Sequence, residues 1–331
     1  MTVSVAIATY NRAPMVRQAV EAALAQSWTP YEVVVSDDAS TDGTAAVLAD
    51  LAGADPRVRV IRQSVNIGGA RNANAAMMAA RGDLIAWCSD DDRFLPGHVA
   101  AAVEYLSRHP EIGFVHSGFV DAVETPGERL LEPRPLRAAR PLRVGRSNLL
   151  RYLNRYYDWP FHPSTIVMRR EVWERVGPFD PAYQLTDSDW FVRAALEYSC
   201  ALLPRHGVLN RRHPGNWSNR MGSARMQTEL YEIGDWAIRA RWPKNSLRNA
   251  GVAGCWRGVW RAHVRLRLLL TIRARLRTGH TEAAFASWRA LTRATGGRMW
   301  GWIERSGDAW IRRSQAAPAR DAEVRQSVSP L

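Results

Sequence analysis

Short apolar runs alternate with amphipathic stretches along the first third of the chain. Residues 3–8, 31–36, 57–61 and 84–88 are short, mostly apolar runs bounded by polar residues. Such runs suit strands buried on both faces of a parallel sheet. Between them, Val16, Val20, Ala23 and Leu24 recur at helical spacing within 14–27. A second helix runs through Leu51, and a third opens at Asn66-Ile67-Gly68-Gly69-Ala70-Arg71-Asn72, runs to Ala80 and ends at Gly82. The small polar residues from Asp37 to Thr44 make a loop and an N-cap. The order β-α-β-α-β-α-β predicts an α/β fold with a doubly wound, mostly parallel sheet. A helix over 97–107, strands over 112–116 and 165–168, a turn at Gly177-Pro178-Phe179-Asp180 and a helix from 186 to 198 continue the pattern. Residues 125–146 are rich in Pro and Arg without periodicity, and read as a mobile loop over a site or as a surface linker.

The run 84–88 ends in Ser89 and then three adjacent acids, Asp90, Asp91 and Asp92. Three neighbouring carboxylates repel one another and lose hydration when buried, so this placement calls for a cation. Ligands of open α/β sheets bind beyond the carboxyl ends of the strands, where these residues fall. The plain alternative is an acidic turn capping the helix that begins near Pro96.

Composition narrows the class. At 331 residues, 46% hydrophobic and 23% charged, the chain has globular composition and room for one large domain and an appendage. Cys88, Cys200 and Cys255 are odd in number and form no CxxC pair, which points to a reducing compartment rather than a disulfide framework or structural zinc. No signal peptide and no run approaching the roughly 18 apolar residues of a membrane span is evident, so a cytoplasmic protein is expected.

The net charge of +13 sits in the tail: 17 of the 45 Lys and Arg but only 5 of the 32 Asp and Glu lie from residue 243 onward, leaving 28 against 27 before it. There Trp256, Trp260, Val264, Leu268 and Ile272 recur every four residues beside Arg257, Arg261 and Arg265, with Trp288, Trp300, Trp302 and Trp310 further on. Arginine beside tryptophan on an amphipathic helix suits an anionic membrane surface, the inner face of the membrane in this case. A helical cap packed on the domain is the alternative. No nucleic-acid reading motif accompanies the charge. The expected division is 1–242 catalytic (1–118 and 119–242 as its halves), 243–315 a basic helical extension, and 316–331 disordered.

The segments Ser4 to Arg12, Gln26, Glu32 to Thr44, Asn66 to Asn72 and the acidic cluster, in this order and spacing, resemble the family 2 glycosyltransferases of GT-A fold, over about residues 1–220. The resemblance implies metal-dependent, inverting, non-processive transfer from a nucleotide-diphosphate sugar, with a UDP-sugar favoured, to a saccharide or lipid-linked acceptor. It implies that Thr9, Tyr10, Asn11 and Arg12 border the donor's base and ribose, and that Asp38 accepts from the base. Arg71 would face the diphosphate and Asp90 the ribose. Asp91, with Asp92 beside it, would ligate Mn²⁺ or Mg²⁺. Many relatives carry an acid where this chain has Ser89, and Pro where it has Ala8.

Further on, Thr186-Asp187-Ser188-Asp189 is similar to the family's Glu-Asp pair at a helix start, which implies Asp187 as catalytic base, with Asp189 the runner-up. Each also reads as an N-cap. Arg211 to Ser218 resembles the late loop that returns a His to the metal, which implies His213 as a ligand. No Gln-x-x-Arg-Trp stretch of the processive synthases is present. Two rivals remain: a nucleotidyltransferase, which would want a Gly-rich basic loop where Thr9-Tyr10-Asn11-Arg12 stands, and a non-catalytic scaffold or nucleic-acid binder built on the tail.

Overall fold

The computed structural model describes residues 1–123, 129–131, 136, 142–144, 162–216, 223–241 and 255. The expectations for the tail, namely the Trp and Arg stripe of 256–272, Trp288 to Trp310 and the disorder of 316–331, lie outside the described residues, as does most of 125–146. The chain divides into two compact units, 1–222 with 229–264 and 223–228 with 265–331. The sheet and every candidate site residue belong to the first.

Among the described residues, ten strands form one sheet. Val3–Thr9 (β1) pairs in parallel with Glu32–Asp37 (β2) and Leu84–Ser89 (β4), and β2 with Val58–Arg62 (β3). The helices Ala13–Leu24 (α1), Thr44–Ala54 (α2) and Gly69–Ala79 (α3) make the crossovers. Val5, Ala6, Ile7, Val33, Val34 and Val35 are all fully buried, which is why these strands read as continuous apolar runs rather than alternating ones. Beyond Arg93–Phe94 (β5) and helix His98–Arg108 (α4) comes Ile112–Val123 (β6), with the short Arg129–Leu130 (β7) and Leu142–Val144 (β8). A 3₁₀ turn, Pro163–Thr165, leads into Val167–Arg169 (β9), then Arg170–Val176 (α5), Thr186–Glu197 (α6), Ser199–Arg212 (β10) and Ser223–Arg241 (α7). The order across the sheet is β3-β2-β1-β4-β9-β6-β10-β5, with β7 on β6 and β8 on β10. Strand β9 runs antiparallel between β4 and β6 and so joins the two parallel parts.

The predicted alternation is observed, with informative differences. Helix α1 stops at Leu24 rather than 27 because the Gln26 side chain turns inward, donating to the carbonyls of Ala22 and Leu95 (3.2 Å each) and accepting from the Val99 N–H (3.2 Å). Strand β6 continues to Val123, and β10 was not legible because Pro204 and Arg205-His206-Gly207 break its alternation. Register shifts at Leu202/His206 and His206/Val208 absorb that break. Gly207 is required there, since a Cβ would fall 2.1 Å from His98 Nδ1. No helix among the described residues is long and apolar enough to cross a membrane.

One buried amide ties the carboxyl ends of β1 and β2 to α3. Asn72 Nδ2 donates to Thr9 O (3.1 Å) and Ser36 O (2.9 Å), while its Oδ1 accepts from Ser36 Oγ (2.6 Å). Removing a buried bridging group leaves its partners unsatisfied at about 1–3 kcal/mol each. Asn72→Ala is therefore expected to lower unfolding free energy by about 2–4 kcal/mol in urea titrations. Asn72→Asp should cost at least as much, because a carboxylate cannot donate to two carbonyls; equal stability of either variant to the parent would remove this role.

Candidate active site

The acid triplet follows β4 and divides among three neighbours. Asp90 turns toward β1: Thr9 Oγ1 donates to its Oδ2 (2.7 Å) and the Tyr10 N–H donates as well. Burial and the adjacent Asp91 nevertheless push its carboxyl up to about 7, against the opposing pull of Arg12. Asp91 faces outward to a different set. Its Oδ2 accepts from Arg12 Nη1 (2.9 Å) and Asn216 Nδ2 (3.2 Å) and lies 3.2 Å from His213 Nε2.

Asp92 is 1% exposed and turns the other way. It accepts from Ser164 Oγ (2.5 Å) and the Arg211 N–H (3.3 Å), with His162 Nδ1 3.4 Å away. Burial and Asp91 raise its carboxyl well above the usual range. Ser89, where relatives carry an acid, is held by Ser164, whose Oγ accepts the Ser89 N–H (3.0 Å).

The turns after β1 and β2 interlock. Asn11 takes a left-handed conformation (φ 53°), which Asn tolerates, and its Oδ1 accepts the Thr41 N–H (2.8 Å) while Ser40 Oγ accepts the Asn11 N–H (2.9 Å). Ala39 is also left-handed (φ 58°), an unusual state for a residue with a Cβ. It follows Asp38, which is buried and accepts the N–H groups of Ile67 (2.7 Å) and Gly68 (3.0 Å). Gly68 (φ 89°) supplies the turn that starts α3. Tyr10 is exposed at this rim, and so is Arg71, whose Nη1 donates to Ile67 O (3.3 Å).

Helix α6 carries both candidate bases. It is anchored by fully buried Trp190, whose Nε1 donates to Gly177 O (3.1 Å), and by Glu229 of α7, whose Oε2 accepts the N–H groups of Gln184 (2.7 Å) and Leu185 (2.8 Å). Asp189 pairs with Arg193 (2.9 Å). Asp187 accepts from the Ser188 N–H (2.8 Å), and burial raises its carboxyl. His162 links the two regions: burial pushes its imidazole down to about 4, while Asp91 and Asp187 both pull it up.

Thr9, Arg12, Asp90, Asp91 and His213 are thus brought together, with Asp92 behind them, Asp38 and Arg71 on the α3 side, and Asp187 across His162. His162, Ser164, Asn216 and Glu229 had no assigned role in the sequence.

Asp91 Oδ2 and His213 Nε2, one hard oxygen and one imidazole, fit Mn²⁺ or Mg²⁺ held by few protein ligands and completed by phosphate oxygens or water. No group of three or more His, Cys, Asp or Glu among the described residues is arranged to hold a metal ion, so an all-protein cage does not fit.

Asp90 gives the site a pH signature. Its folded-state value lies above the unfolded one, so its stabilising contribution is complete below about pH 4 and is lost as pH rises through about 7. In chelator, Asp90→Asn should be more stable than the parent at pH 8 and lose that advantage progressively as pH falls to about 4, read from thermal unfolding; a pH-independent difference would contradict the burial of this charge.

Comparisons with known proteins bear on the family and the fold. The Glycosyl transferase family 2 model matches residues 4–177. The uncharacterized glycosyltransferase YwdF of Bacillus subtilis is 30% identical over 217 residues, 63% of this chain and 74% of YwdF. The structure of S. aureus TarS 1–349 with UDP-GlcNAc superposes with a TM-score of 0.58 at 17% identity, covering 90% of this chain and 93% of that one. Mannosyltransferase PcManGT of Pyrobaculum calidifontis, with GDP-Man and Mn²⁺, gives 0.55 at 20%, covering 90% and 87%. With the GT-A fold shared with these structures and the family model spanning more than half of its length, the chain belongs to glycosyl transferase family 2 and is a glycosyltransferase.

Proposed function

We propose that the protein transfers one sugar, with inversion, from a nucleotide-diphosphate sugar to a hydroxyl of a saccharide or lipid-linked acceptor, using Asp187 as base. The observation that carries the choice of base is the contrast within α6: Asp189 is committed to Arg193, whereas Asp187 is bound to neighbouring Ser188 and has no ion pair at 4 Å among the described residues. Burial raises the Asp187 carboxyl, which makes its ionised form a better proton acceptor.

On the donor side, the rim of Thr9, Tyr10, Asn11 and Arg12 with Asp38 would receive the base, and Asp90 the ribose. Exposed Arg71, at the first turn of α3, is available to the diphosphate. UDP-sugars are the favoured donors, in keeping with the UDP-GlcNAc bound by TarS. Asp91 and His213 would hold a divalent ion, with Asp92 supporting from behind. When bound, the ion supplies charge neutralisation for the leaving diphosphate. The basic, Trp-bearing tail would hold the enzyme on an anionic membrane surface, beside lipid-linked acceptors.

Asp187→Asn should lower transfer by roughly 10²- to 10⁴-fold, while a UDP-sugar with Mn²⁺ still raises the melting temperature. The acid limb of the parent's rate profile should rise with pH at a midpoint above ordinary carboxylate values, because the base must be ionised to act. Normal transfer by Asp187→Asn with loss in Asp189→Asn would move the base by two residues, and retention of anomeric configuration would exclude single displacement.

The tail is tested separately. The full chain should co-sediment with phosphatidylserine vesicles at low salt and be released in high salt; indifference to such vesicles removes the membrane reading.

A further inference from the structure

The place between Asp91 and His213 already has a cation facing it. Arg12 Nη1 lies 2.9 Å from Asp91 Oδ2 and 2.8 Å from His213 Nε2, and its Nη2 donates to Gly215 O (2.8 Å). Arginine has no acceptor, so Arg12 Nη1 can bond Nε2 only where that nitrogen carries its lone pair. A neutral imidazole has a single lone pair at Nε2. It cannot accept from the guanidinium and coordinate an ion at once.

The spacing makes the overlap specific. Two cis donors each about 2.1 Å from an octahedral ion stand about 3 Å apart, and the Asp91 oxygen and His213 nitrogen stand 3.2 Å apart. The donor pair therefore has the span of a cation site, and Arg12 holds both members. An ion on the same pair would also bring two positive charges within a few Å of each other.

We infer that Arg12 competes with the divalent cation for Asp91 and His213, so that its guanidinium must leave these two atoms before a cation can take them. This rests on the cation reading of Asp91 and His213 above. Arg12 immediately precedes α1, where Pro14 fixes the first turn, so the departure needs rotation of a long side chain and no change of the helix. A guanidinium released there meets the diphosphate of an incoming donor, whose oxygens match its fork. Cation and donor entry are coupled in consequence: the donor offers Arg12 a new partner and frees the two ligands. Arg12 is a positioning residue in this sense, setting when the site accepts a cation.

The test is Mn²⁺ binding by the full chain without nucleotide, followed by the electron paramagnetic resonance of the free ion. Arg12→Gln should bind Mn²⁺ at least tenfold more tightly than the parent, a shift of about 1.4 kcal/mol. Arg12→Lys, a point charge without the fork, should fall between them and decides the matter if the Gln variant does not fold by circular dichroism. Asp91→Ala should abolish binding in both backgrounds. If Asp91→Ala abolishes binding but Arg12→Gln binds no more tightly than the parent, the competition is wrong and the cation site stands. If Asp91→Ala leaves binding intact, the cation site itself is misplaced and this inference falls with it.

Discussion

Three consecutive carboxylates at the end of a buried strand cannot be stabilised from one side. Two unit charges about 5 Å apart repel by about 3 kcal/mol at an effective dielectric of 20, before any desolvation is counted. The fold meets this by separating their surroundings. Asp90 is met by Thr9 and Tyr10, Asp91 by Arg12, His213 and Asn216, and Asp92 by Ser164 and the Arg211 N–H. Asp90 and Asp92 are still displaced toward their protonated forms, so proximity and burial outweigh the hydrogen bonds at both ends of the triplet. The Arg12 guanidinium lies 2.9 Å from the middle carboxylate and 3.9 Å from Asp90.

Much of the topology follows from delivering those partners. Strand β5 directly follows the triplet, and its pairing with β10 sets Phe94 against Val208 and Arg93 against Leu209. Just beyond that pairing the Arg211 N–H reaches the Asp92 carboxylate, and the chain's next turn carries His213 and Asn216 to Asp91. On the other side, the 163–165 turn brings Ser164 to both Ser89 and Asp92 just before β9 enters the sheet beside β4. The irregularities of β10 lie upstream of these contacts, where Gly207 lets the strand pass close over His98. A straighter strand would begin the turn to Asp91 from a different register.

The first half of the site was legible because its determinants are local. Each of β1, β2 and β4 is an apolar run that ends in the polar residues of its own turn, so strand end and site position are read together. The roles of Asp91 and His213 came from resemblance, and their convergence depends on residues more than a hundred positions apart, which no periodicity records. Strand β10 was not legible because Pro204 and the Arg205-His206-Gly207 triplet interrupt it. Glu229 on α7 was not legible because a glutamate on a helix signals nothing until the loop it caps, 184–185, is in place. The position of His162 between Asp91 and Asp187 is wholly tertiary.

Helix geometry explains why two aspartates two residues apart can differ so much. Residues four apart share a face, and Asp189 and Arg193 use that spacing for an ion pair. Residues two apart project about 200° from each other at 100° per residue, so Asp187 is directed away from the Arg193 face. Arg193 in turn is fixed at its other nitrogens by Val176 O (2.6 Å) and Pro178 O (2.7 Å), which leaves it no freedom to follow Asp187. The same anchoring that locks Asp189 into structure therefore keeps Asp187 clear of a guanidinium that would depress its proton affinity. A base at this position depends on the Arg193 clamp as much as on its own burial.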